Sequence, residues 1–150
     1  MSRIVLISCV SKKLEEKAKA KDLYISTLFE CSLLYANSLK PDKIFILSAH
    51  YLLVHLEQEI EPYNVTLSIV SNKKRTPDLK VLTTKEKNDW GKKILDQLET
   101  ESNLETDEFI FLAGEEYIKP IEQLNRIKIF IKPLTGMKLG ERISYMQNNS

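Results

Sequence analysis

Ile4-Val5-Leu6-Ile7-Ser8-Cys9 decides the fold. Four consecutive apolar residues, mostly β-branched, give way abruptly to two small polar ones. A strand that alternates apolar and polar residues buries one face, whereas a strand apolar at every position is buried on both. Three further runs repeat the pattern: Ile44-Phe45-Ile46-Leu47, ending in Ser48-Ala49-His50; Phe109-Ile110-Phe111-Leu112-Ala113, ending at Gly114; and Ile127 to Ile131. Together they predict an α/β protein with a mostly parallel central sheet of about four strands, flanked on each side by helices.

The intervening segments supply those helices. Ile25, Leu28, Phe29, Ser32, Tyr35, Ala36 and Leu39 recur at helical spacing, and Thr27 with Glu30 reads as a capping box. Lys40-Pro41-Asp42 then stops the helix before the second strand. Another helix opens at Thr83, with Glu86 three residues on, and aligns Trp90, Ile94 and Leu98. A short helix is expected to start near Pro120, and a last one to cover roughly Leu139 to Gln147. Lys12 to Lys21 and Asn72 to Lys80 read as solvated, mobile loops.

A length of 150 residues suits a single α/β domain over 1–150. With 43% hydrophobic and 29% charged residues, the chain does not have the composition of a disordered one. A net charge of +1 provides no overall field toward nucleic acid, which leaves only local basic patches for that purpose. Two cysteines make no disulfide framework, and Met1-Ser2-Arg3 runs straight into the first strand without room for a signal-peptide core. No apolar run approaches the ~20 residues that cross a bilayer. A cytoplasmic protein with reduced thiols, no membrane partner, no metal and no cofactor is expected. Its oligomeric state is not fixed by any of these features.

In an open parallel sheet, ligands bind beyond the carboxyl ends of the strands. Ser8-Cys9, Ser48-Ala49-His50 and Gly114-Glu115-Glu116-Tyr117 lie far apart in sequence but are expected on that one rim. Cys9 is a nucleophile if a nearby cation lowers its pKa, but the plainer reading is a small buried apolar residue. Ser11, Lys12 and Lys13 form either an anion-binding turn or a solvated basic loop. His50 has the chemistry of a general acid or base and equally that of a packed imidazole; His55, among apolar neighbours, is read as structural. Pro62 biases Glu61 toward an extended backbone, so Glu61-Pro62-Tyr63 presents a carboxylate beside an aromatic ring, or is simply a packed turn. Gly114 permits close backbone approach, and Glu115 and Glu116 supply two acids where a helix begins.

The ordered set of short motifs carries a resemblance. Ile7-Ser8-Cys9 with Lys12-Lys13 is followed by Ala20-Lys21-Asp22-Leu23-Tyr24, Leu28-Phe29 and Leu47-Ser48-Ala49. Glu61-Pro62-Tyr63 with Thr66-Leu67, Leu112-Ala113-Gly114 with Tyr117, and Pro133-Leu134 with Gly140-Glu141-Arg142 complete it. The set resembles a small bacterial and phage domain family of unknown function. That family is distantly similar to the peroxide-stress protein YaaA and to domains near tRNA-guanine transglycosylase-like and archaeosine-synthesis proteins. The resemblance implies a three-layer sandwich of the uracil-DNA glycosylase type and a role around nucleic acids or modified nucleobases. Where the family reads Ser-Ala-Lys-(His or Tyr)-Gly-Leu-Leu, this chain has Ser48-Ala49-His50-Tyr51-Leu52-Leu53-Val54.

The resulting expectation is a protein directed at a nucleotide, nucleobase or nucleic acid, of the N-glycosidase type. Glu61, Glu115, Glu116 and His50 are its candidate catalytic residues. Ser8, Cys9, Lys12, Lys13, Tyr24 and Ser48 are candidates for substrate binding, with Tyr63, Gly114, Tyr117 and Arg142. The alternative is a non-catalytic nucleic-acid-binding or stress-response module.

Overall fold

A computed structural model describes residues 1–150. The first half runs β1 (Arg3–Ser8), β2 (Ala18–Lys19), α1 (Ala20–Leu23), α2 (Thr27–Ser38), β3 (Lys43–Ser48), β4 (Leu52–His55), β5 (Glu59–Ile60) and β6 (Val65–Thr66). The second half runs β7 (Lys80–Val81), α3 (Thr84–Glu101), β8 (Glu108–Leu112), α4 (Glu115–Glu122), β9 (Ile129–Ile131) and α5 (Leu139–Asn149). No helix is long and apolar enough to cross a membrane.

The main sheet has the order β4-β3-β1-β8-β9. β1 lies between β3 and β8, parallel to both, with Ile7 opposite Ile46 on one side and Leu112 on the other. Ile4, Val5, Leu6 and Ile7 are each at most 1% exposed, so residues pointing to both faces of the sheet are buried. Each such side chain contributes about 1.5–3 kcal/mol relative to an exposed one. From β1 the chain crosses to β3 on one side and later returns to β8 on the other. The strand order therefore reverses about β1, which opens a crevice beyond the carboxyl ends of β1 and β8.

The sheet has one strand more than expected, because β4 adds antiparallel to β3. Ala49-His50-Tyr51 turns the chain, and Leu52 enters the new strand in the left-handed region at φ 69°. A three-residue hairpin loop followed by a left-handed residue is a common way to join two strands. Glycine suits that position best, and this chain carries leucine there.

Several helix boundaries also move. The N-cap of α2 is Ser26, whose Oγ accepts from the Phe29 N–H at 3.1 Å, so Thr27 is already inside the helix and pairs with no capping-box glutamate. The box at Thr83 and Glu86 is present: the Thr83 N–H donates to Glu86 Oε1 at 3.0 Å, and the Glu86 N–H to Thr83 Oγ1 at 3.2 Å. α4 does not start near Pro120. It starts at Glu115 after Gly114, and Pro120 lies inside it. The expected loop at Lys12–Lys21 is partly ordered, since β2 pairs with β5 and Ala20, at the start of α1, is fully buried. α2 packs on α5 and α3 on α4. At the second of these contacts a Cβ on Gly91 would lie 2.3 Å from the Pro120 carbonyl oxygen, so only glycine allows this approach.

Candidate functional site

A cleft of about 600 Å³ opens beyond the carboxyl ends of β1 and β8. The end of β1 brings Ser8 and Cys9 to its wall, and the loop that follows adds Ser11 and Lys13. The end of β8 brings Gly114, followed by Glu115, Glu116 and Tyr117 in the first turn of α4. Arg142 of α5 also lines the cleft. Its Nε donates to the Met137 carbonyl at 3.0 Å, and a Cβ on Gly114 would sit 3.4 Å from its Nη1. The guanidinium thus lies directly beside the glycine, at ordinary contact distance.

Tyr117 on the wall and two phenols behind it are tied to buried backbone. Cys9 Sγ lies 3.4 Å from the Tyr117 hydroxyl, and the Tyr117 ring meets Trp90 edge-on at 5.7 Å. Trp90 Nε1 donates to the Ser48 carbonyl at 2.9 Å. Ser48 is fully buried; its Oγ donates to the Tyr63 hydroxyl at 2.9 Å and accepts the N–H groups of His50 and Tyr51 at 3.2 and 2.8 Å. Tyr24 and Tyr63 share a 2.6 Å hydrogen bond between their hydroxyls. Burial first, then the nearby Cys9 thiol, pushes the Tyr24, Tyr63 and Tyr117 phenols up, so all three stay neutral. Lys13 Nζ sits 4.4 Å from the Tyr63 ring centroid, a cation–π distance, and burial lowers its pKa.

The sequence candidates therefore separate into three groups. Ser8, Cys9, Lys13 and Gly114 line the cleft, with Glu115, Glu116, Tyr117 and Arg142. Ser48, Tyr24 and Tyr63 form the hydrogen-bonded layer behind that wall. Glu61, His50 and Lys12 are exposed and are not part of the wall. The Glu61 backbone N–H donates to the Tyr51 hydroxyl at 3.3 Å, and the His50 ring stacks on Tyr63 at 5.4 Å.

The two wall carboxylates differ. Glu116 pairs with Lys87 at 2.7 Å, whereas Glu115 is exposed and makes no ion pair. No group of three His, Cys, Asp or Glu side chains converges as a metal set.

Four polar wall residues lie outside the sequence candidates: Asn64, Thr66, Ser68 and Lys74. They reach the cleft because β6 pairs with β7 and Asn64 Nδ2 donates to Asp78 Oδ2 at 2.9 Å. Strands of two residues leave no periodicity to read. The available signal was Thr66 within the family motif and Lys74 within a basic run.

No curated protein and no solved structure matches this chain. A family model does match, over residues 4–148, a span that takes in the cleft and nearly all of β1 and α5. The chain belongs to that family, DUF6884, a family of unknown function.

Proposed function

We propose that the cleft binds a nucleotide or nucleobase and that the protein hydrolyses an N-glycosidic bond in it. The observation that carries this reading is a single crevice at the strand-order reversal that holds an unpaired carboxylate, Glu115, beside unpaired cations and hydroxyls. As the bond from the anomeric carbon to the base nitrogen breaks, positive charge develops on the sugar. A carboxylate there stabilises the charge or takes a proton from the attacking water. The water oxygen ends on the anomeric carbon and its proton on the departing base. The neutral phenols behind the wall hold that wall rigid without adding charge. The two packed helix pairs, α2 with α5 and α3 with α4, suit the outer layers of a three-layer sandwich. The reading includes a distant kinship with YaaA-like and glycosylase-type proteins, carried by the sequence motifs alone, and a cytoplasmic setting.

The test is release of free base from nucleosides, nucleoside monophosphates, single-stranded DNA and RNA, followed by chromatography. The reading expects one substrate class to be cleaved, and Glu115→Gln to slow cleavage by roughly 10²–10⁴-fold. Absence of release from every class, or an undiminished rate in the variant, rules it out. A non-catalytic nucleic-acid-binding role is favoured by one observation: Lys74, on the cleft wall, belongs to the exposed Lys73-Lys74-Arg75 turn. That role requires affinity for a strand that falls steeply as salt rises.

A further inference from the structure

We infer that the ligand of the cleft is a nucleoside monophosphate whose phosphate lies between Lys13, Lys74 and Arg142. This rests on the reading of the cleft as a nucleotide site and adds the group that anchors the ligand. The three cations come from separate parts of the chain, the loop after β1, the 72–75 turn and α5, yet line one cavity. None of them meets a carboxylate, although cations elsewhere do: Lys132 pairs with Glu122 and Arg126 with both Asp96 and Glu99. Of the two acids on the wall, Lys87 neutralises Glu116, which leaves three cations facing one free carboxylate.

Their geometry suits a phosphate. Arg142 is held at Nε by the Met137 carbonyl, so Nη1 and Nη2 remain free, over a glycine, for a forked contact. Lys13 has only the Tyr63 and Tyr24 rings and a 3.3 Å contact to the Ser11 carbonyl, and its half-buried ammonium gains most from an anion. A volume of about 600 Å³ is that of a small-molecule site and accommodates one nucleotide.

Calorimetry tests this with the four ribonucleoside 5′-monophosphates, the matching nucleosides, inorganic phosphate and an oligonucleotide without terminal phosphates. At least one monophosphate is expected to bind about tenfold or more tightly than its nucleoside, with inorganic phosphate as a competitor. Arg142→Met and Lys13→Met should each cost about tenfold against the monophosphate and leave nucleoside affinity unchanged. Thermal melts check that both variants fold, and Lys74→Met, at an exposed position, gives a milder loss in an intact protein. Equal affinity for nucleoside and monophosphate, no competition by phosphate, or tighter binding of the oligonucleotide overturns the inference. Monophosphate binding without base release sinks the hydrolase reading and leaves the phosphate site standing. Nucleosides cleaved and bound as well as monophosphates do the reverse. No binding of any probe removes both.

Discussion

Replacing Gly91 by alanine sets two opposing effects against each other. Glycine in the middle of α3 costs about 1 kcal/mol relative to alanine in helix propensity, so on local grounds the substitution stabilises. The packing says otherwise. The added Cβ would meet the Pro120 carbonyl oxygen at 2.3 Å, its carbon at 2.7 Å and its Cβ at 3.0 Å. Comfortable separations are about 3.5 Å, so α4 must retreat from α3 by about 1 Å. The obstacle is backbone and cannot swing aside. Overpacking of this kind costs about 3 kcal/mol, which leaves a net loss of about 2 kcal/mol and a melting temperature lower by about 4–8 °C. Because α4 begins at the cleft wall, the shift should also weaken ligand binding there. Urea and thermal unfolding give the first readout and calorimetry the second. An unchanged or raised stability would refute the close helix approach on which the argument rests.

Ser48→Ala removes one acceptor for two backbone N–H groups and one donor to Tyr63, at a fully buried position, and should cost about 2 kcal/mol by urea unfolding. A loss below about 0.5 kcal/mol would contradict the network. At Leu52 the backbone sits at φ 69°, so Leu52→Gly relieves about 1 kcal/mol of strain while losing partly buried apolar surface. It should be neutral to within about 1 kcal/mol, whereas Leu53→Ala, on the same strand at a buried position, costs about 3 kcal/mol. The Lys80 ammonium, then the Thr83 N–H, holds the Glu86 carboxyl down to about 2 from an ordinary 4.5. Its folded pKa lies below the unfolded one, so its contribution is present above pH 4.5 and disappears as the pH falls toward 2. The stability gap between the wild type and Glu86→Gln should shrink over that window in denaturant titrations at successive pH values.

The central strands were legible because Ile4–Ile7, Ile44–Leu47 and Phe109–Leu112 are apolar at every position, a pattern only a doubly covered sheet requires. The meeting of Ser8 with Gly114 followed from that, since neighbouring parallel strands end on the same edge. β4 was hidden because its turn is short and a leucine, not a glycine, takes the left-handed position. Pro120 misled because proline favours a first helical turn, while the actual start is set by Gly114 and two acids. Glu61 and His50 were drawn to the rim by sequence proximity to Pro62 and Ser48. Both residues are exposed and outside the wall, the His50 ring stacking on Tyr63, and it is Tyr63 that enters the hydrogen-bonded layer. Lys74 and Thr66 reach the wall through tertiary pairing of two-residue strands and a loop, a long-range contact that no local pattern encodes.

The most direct measurement is a backbone-amide NMR titration of the protein with ribonucleoside 5′-monophosphates. The account predicts saturable shifts concentrated at Ser8–Lys13, Asn64–Lys74, Gly114–Tyr117 and around Arg142, the four segments that enclose the cleft. Saturable shifts confined to the opposite end of the sheet, near Arg3, Asp42 and Glu108, would contradict it.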